Sequence, residues 1–186
     1  MSGTSAQSLQ EQGVKLFRQK EYESARSVFQ QAQTAYEAEG NRVLAAEMMV
    51  NIGLIHRALG ENQQALDVIQ QALAVFEELG DQKRIAMTLG NLGGVYVALN
   101  DKEQAYNCYR TAADMFQALG EKQLYGETLV AMGRTQIEEG KVGVGSATYE
   151  AGLENMGELN ARQKIMKSLL GIRNRFLGNP NPPQDE

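Results

Sequence analysis

Few residues in this chain have side chains and spacing suited to catalysis. It has one histidine, His56, and one cysteine, Cys108. A metal site needs several ligands brought together, and a nucleophile needs a base within hydrogen-bond reach. At a spacing of 40 residues His56 shares a column with Leu16 and Tyr96, which fits packing between helices better than proton transfer. Cys108 stands beside Tyr109 with no histidine in the same or an adjacent helical turn, so a buried, unreactive thiol is expected. Lys141-Val-Gly-Val-Gly-Ser146 has the glycines of a phosphate loop, but it lacks the Gly-Lys-Ser order and no strand precedes it. The expectation is no enzyme, no cofactor and no metal.

A different chemistry is carried by Asn51 and Asn91, which lie 40 residues apart and occupy equivalent places. A carboxamide holds a donor and an acceptor in one plane and can pair with both the N–H and the C=O of another chain's backbone. Capping or solvating a helix wall is the plainer role, yet mid-helix asparagine is mildly unfavourable. Gly90, Gly93 and Gly94 fall within one apolar-periodic segment, where each glycine costs about 0.8–1 kcal/mol relative to alanine. Close helix packing accounts for Gly93. Gly90 and Gly94, four apart, leave room either for a bulky partner side chain or for a neighbouring helix.

These residues must be positioned by helices. The chain has 186 residues, 42% of them hydrophobic, with three prolines and no tryptophan, a composition that supports a packed core. Gly40, Gly80, Gly120 and Asn160 fall in one column, and Gly60, Asn100 and Gly140 in another. Glycine and asparagine enter the left-handed conformation that ends helices, so each column reads as a set of stops. Asn100 with Glu103, Asn160 with Gln163 and Thr4 with Gln7 have capping-box spacing, so some of these positions also read as helix starts. Between the stops apolar residues recur at three and four, as in Leu89, Leu92, Tyr96 and Leu99. Helices are therefore predicted over 5–19, 22–39, 42–59, 62–79, 82–99, 102–119, 122–139, 142–159 and 161–177, each antiparallel to the next. Glycines 143, 145, 152 and 157 predict that the helix over 142–159 is the least stable.

The repeated residues carry a resemblance. Leu9, Gly13, Leu16, Ala25, Phe29 and Ala32 are echoed by Met49, Ile52, Gly53, His56, Ala65, Ile69 and Ala72. Leu89, Leu92, Gly93, Tyr96, Ala105, Tyr109 and Ala112 follow, then Leu129, Met132, Gly133, Tyr149 and Gly152. Gln136 stands where an aromatic is usual and Gly145 where alanine is usual. Over about nine-tenths of its length the chain resembles the tetratricopeptide-repeat family. Its 40-residue period is similar to that of kinesin light chains, LGN-type adaptors and bacterial peptide-sensing regulators.

The resemblance implies an all-α, right-handed superhelix of the α-solenoid type. Four helix-turn-helix repeats, over about 5–40, 41–80, 81–120 and 121–160, would be followed by a capping helix over 161–178. One domain over 5–178 would lie between a disordered N-terminus, 1–4, and a disordered proline-rich tail, 179–186. The first helix of each pair would line a concave groove. The residues implied there are Val14, Phe17, Val50, Asn51, Leu54, Arg57, Gly90, Asn91, Gly94, Val97, Val130 and Arg134, with Ile137 beyond. Members of the resembling families use such asparagines to hold a bound peptide backbone. A chaperone-type carboxylate clamp does not fit, because Gln10, Val14 and Met87 stand at its places and no lysine accompanies Asn51.

Charge narrows the partners. The net charge is −5, which repels nucleic acid and anionic lipid. Residues 161–178 nonetheless hold Arg162, Lys164, Lys167, Arg173 and Arg175 and no acid, either as the solvated face of a cap or as a strip for an acidic partner or membrane surface. No membrane span or targeting segment is visible, and with a single cysteine the expectation is a cytoplasmic protein, or a stromal one if plastid-encoded. The expected function is protein–protein interaction, as an adaptor or assembly factor that binds a largely apolar peptide segment or amphipathic helix. The alternatives are a self-associating scaffold, forming a homo-oligomer, and a biogenesis chaperone for a membrane or photosynthetic complex.

Overall fold

The computed structural model describes residues 5–157 and 159–177. Among them the chain forms nine α-helices and no strand: α1 (Ala6–Arg18), α2 (Tyr22–Ala38), α3 (Arg42–Ala58), α4 (Asn62–Leu79), α5 (Gln82–Ala98), α6 (Lys102–Ala118), α7 (Lys122–Glu138), α8 (Val142–Asn155) and α9 (Ala161–Leu177). The segments 1–4 and 179–186, expected to be disordered, lie outside the described residues.

The stops work as the two columns predict, with additions. Gly40, Gly60, Gly80, Gly120, Gly140 and Asn100 all have φ between 61° and 81°. Lys20, at φ 62°, takes the same left-handed place ahead of α2 although it carries a Cβ. After it the Glu21 N–H donates back to the Leu16 carbonyl at 3.0 Å, as Glu61 does to His56 and Asp101 to Tyr96, each at 2.9 Å. Each of these bonds satisfies a carbonyl that the helix end would otherwise leave open.

Helix starts match the expectation at one capping box and differ from it at the other two. Asn160 is a start and not a stop: its Oδ1 accepts from the Gln163 N–H at 3.0 Å while Gln163 Oε1 accepts from the Asn160 N–H at 2.8 Å, a reciprocal capping box. Asn100 is a stop alone, and the cap of α6 is Asp101, which accepts from the Gln104 N–H at 3.1 Å. Ser5 caps α1 by accepting from the Ser8 N–H at 3.2 Å, while Thr4 lies outside the described residues. The chain also leaves α8 at Asn155, four residues before the expected end, because Met156 turns to extended backbone at φ −87°, ψ 128°. There its side chain packs with Leu153 and Leu170.

Two compact units divide the chain, one running to Thr111 and the other starting at Ala112, inside α6. In the first unit α1 and α2 pack with α3 around Phe29, Tyr36, Met48 and Ile55, and a second cluster gathers Ile69, Leu92, Val95 and Cys108. The small residues of the first helices set the hairpin spacing. A Cβ on Gly13 would lie 2.7 Å from the Phe29 ring, one on Gly93 2.6 Å from the Tyr109 ring, and one on Gly53 would strike Ile69.

In the second unit the α7–α8 hairpin is closer still, because main chain meets main chain. A Cβ on Gly133 would lie 2.6 Å from the Tyr149 nitrogen and 2.7 Å from the Gly145 oxygen, and one on Gly152 2.7 Å from the Gly126 oxygen. Gly145, where alanine is usual, is thus needed for the contact. Among the described residues nothing pairs with the buried Oε1 of Gln136, which stands where an aromatic is usual.

Candidate protein-binding groove

The capping side chains fix how α3 and α5 begin, and with that which residues share a face. Asn41 Oδ1 accepts from the Leu44 N–H at 3.1 Å and Asp81 Oδ1 from the Arg84 N–H at 3.0 Å, both closing a first turn. From equal starts, equal spacing carries Asn51 and Asn91 to the same side of successive first helices. Between them lies a cavity of about 310 Å³, whose lining includes Val50, Leu54, Phe76 and Met87 together with both asparagines. Phe76, from α4, is almost wholly buried and supplies an apolar floor.

One edge of the cavity is charged. Arg84 Nε donates to Glu47 Oε1 and Arg84 Nη1 to Asp81 Oδ2, each at 2.7 Å. The Arg84 backbone N–H holds the Asp81 carboxyl below its ordinary range against an opposing push from burial, and the Arg84 side chain adds to the lowering. The buried Thr88 hydroxyl donates to the Arg84 carbonyl at 2.7 Å and so needs no outside partner.

Of the twelve groove residues implied by the sequence, Val50, Asn51, Leu54 and Asn91 meet at this cavity. Gly90, next in the chain to Asn91, has open space where a side chain would stand, whereas the Arg57 guanidinium occupies that space at Gly94. Val97 is half-buried on α5. Val14 and Phe17 pack against the first core, with Phe17 edge-on to Tyr22 at a centroid separation of 5.6 Å. In the second unit Val130 packs against Leu153 and Met156, and Arg134 is exposed and paired with Glu138 at 3.0 Å. Sequence reasoning left Glu47, Phe76, Arg84 and Thr88 out of the groove and named Met87 only in rejecting a carboxylate clamp. Glu47 and Met87 lie four residues before Asn51 and Asn91 on the same helical face, a spacing that would have found them.

A second cavity, about 460 Å³, lies between α1, α2 and the start of α3 in the first unit, with Gln7, Glu39 and Asn41 in its lining. At its wall the Tyr36 hydroxyl donates to Gln10 Oε1 at 2.6 Å. Burial raises the Tyr36 pKa, and the carboxylates of Glu39, Glu47 and Glu11 add to it.

His56 is paired and Cys108 is buried. His56 Nδ1 lies 2.5 Å from Glu61 Oε2, which also accepts from Arg26 Nη1 at 3.2 Å, tying α2, α3 and the turn into α4. Cys108 is buried, and burial, with Asp101 adding to it, pushes its thiol above its ordinary pKa. Among the described residues no three His, Cys, Asp or Glu side chains form a group that could hold a metal ion. No helix there is long and apolar enough to cross a membrane.

The hairpins have counterparts among solved structures. The crystal structure of BtubC (BKLC) from P. vanneervenii is similar over 97% of this chain and 68% of that one, with a TM-score of 0.63 and 17% identity, a likeness of fold alone. No curated protein matches the chain. The sequence profile described as "Tetratricopeptide repeat" matches residues 5–78 and 44–118. Repeats of that kind generally mediate protein–protein interaction and are typically non-enzymatic. Matched over more than half its length, and built of the helical hairpins that its glycine columns foretell, the chain belongs to the tetratricopeptide-repeat family.

Proposed function

We propose that this protein is an adaptor or assembly factor that holds an extended, largely apolar segment of a partner protein between α3 and α5. The observation that carries the reading is the pair Asn51 and Asn91 in the lining of one cavity of about 310 Å³ with Val50, Leu54, Phe76 and Met87 in its wall. Two carboxamides can pair with the N–H and C=O groups of a bound backbone, and the apolar wall takes one of its side chains. An extended segment fits better than a helix, because a helix has already paired its backbone groups internally. The exposed part of Met87 adds a deformable apolar surface.

The test is selection of twelve-residue peptides from a random library against the whole protein, followed by titration of the selected peptides. Each hydrogen bond contributes about 0.5–1.5 kcal/mol net, so Asn51→Ala with Asn91→Ala is expected to weaken binding about tenfold or more. Arg134→Ala, in the second unit, is expected to leave it unchanged. Peptides that bind the double variant as tightly as the parent would remove the reading.

A further inference from the structure

Helix α9 turns towards solvent a side that the earlier first helices bury. Counting back by 40 residues, Met166 stands where Ala46, Ala86 and Gly126 stand, and Ile165 where Ala45, Ile85 and Tyr125 stand. Ala46 and Ala86 are 1% and 0% exposed, and Gly126 is buried against Gly152 of α8 and Met156 just after it. Ile165 is 62% exposed, Leu169 55% and Met166 38%. Leu170, one turn after Met166 and at 7%, packs with Leu153 and Met156, so α9 is anchored at Leu170 while Ile165 and Leu169 beside it stay bare. In the fourth hairpin a second helix covers the bare side's equivalent, and α9 has no such helix among the described residues.

Composition and charge say what could lie there. Residues 161–178 carry five basic residues and no acid, so two copies of α9 laid together would oppose like charges. The complement is an acidic helix with one apolar face. Met166 differs from the alanine or glycine at its equivalents, and its flexible thioether adapts to a partner surface where a small residue would demand close approach.

We propose that the side of α9 formed by Ile165, Met166 and Leu169 is a docking surface for an acidic amphipathic helix of a partner protein, which lies there as the second helix of a fifth hairpin. This surface is separate from the groove between α3 and α5 and is tested separately. Lys164 and Lys167, both exposed, supply charge for the flanks of the incoming helix, so binding weakens as salt rises.

The experiment uses the whole protein and two fluorescein-labelled designed helical peptides of about 18 residues, long enough to match α4. Both have leucine at every third and fourth position, with glutamate flanks in one and lysine flanks in the other. Fluorescence anisotropy is expected to show the glutamate probe binding about tenfold or more tightly than the lysine probe. Ile165→Ser with Leu169→Ser, at positions already exposed, should weaken the glutamate probe about tenfold while the circular dichroism spectrum stays unchanged. Lys164→Glu with Lys167→Glu should reverse the preference between probes. Equal binding of both probes, no binding, or indifference to the serine variant would overturn the proposal. So would light scattering that shows a parental dimer which the serine variant converts to a monomer, because the occupant would then be a second copy.

Discussion

The guanidinium of Arg57, on α3, lies over Gly94 of α5 in the space a Cβ there would need. Gly90, one turn earlier, has nothing within 4 Å of that space. Two glycines that look alike in the sequence therefore have different neighbours, one filled by the protein's own side chain and the other open.

Their alanine variants should differ accordingly. Gly90→Ala is expected to raise stability by about 0.8–1 kcal/mol, the ordinary helix-interior gain. Gly94→Ala should gain less, since it displaces the flexible end of Arg57, and should alter peptide binding more than Gly90→Ala does. Urea unfolding and peptide titration of both variants would check this, and equal stability gains would show that Arg57 has no hold on that space.

The α7–α8 contact gives a larger contrast. Gly133→Ala places a methyl against the Tyr149 nitrogen and the Gly145 oxygen and should cost about 1–3 kcal/mol or more. Gly143→Ala meets nothing within 4 Å and should stabilise α8 by up to about 1 kcal/mol. Thermal unfolding separates the two, and similar melting temperatures would contradict the packing described.

Amide exchange tests a related point. With Gly143 and Gly145 in its first turn and Val142 and Val144 exposed, α8 should open locally more often than α4 and exchange faster. Protection in α8 equal to that in α4 would refute this.

Asp81 should impose a pH dependence. Its folded-state pKa lies below the ordinary carboxylate value, first through the Arg84 backbone N–H and then through the Arg84 side chain. The associated stability is therefore present above the unfolded-state value, near 3.9, and disappears as pH falls through the lower folded-state value. Asp81→Asn keeps an acceptor for the cap but loses the charge, so it should be less stable than the parent at pH 7, by about 1 kcal/mol. At pH 2 to 3 the difference should shrink. A difference independent of pH would dismiss the carboxylate as its source.

At Gln136 an unpartnered buried oxygen is a cost that substitution can remove. Gln136→Met has a similar shape and no amide, and should raise stability by about 1 kcal/mol. A loss measured by denaturant titration would mean that the amide has an undetected role.

Much of this was legible in the residues because the period is regular. Helices α2 to α7 end within one residue of where their glycine, asparagine and leucine columns placed them. The exceptions are local. Lys20 gives no sign of a left-handed turn, since a lysine at positive φ needs help from its surroundings and not from its own side chain. Met156 ends α8 early because its apolar side chain finds Leu153 and Leu170, a tertiary contact that local spacing does not encode. At the groove, equal register alone gathered Asn51 and Asn91. Val14 and Phe17, expected in the groove, pack against the first core instead, where the Tyr22 ring from the next helix meets Phe17.

The glycines shared between α7 and α8 also limit how this hairpin can vary. Where the neighbour is a side chain, as the Phe29 ring is for Gly13, an enlargement on one helix can be answered by a reduction on the other. At Gly133 and Gly152 the two nearest atoms are a backbone nitrogen and a backbone oxygen, which every amino acid carries. No second substitution can trim them, so the fourth hairpin should yield suppressors neither to Gly133→Ala nor to Gly152→Ala, while the first hairpin accepts Gly13→Ala once Phe29 is made smaller.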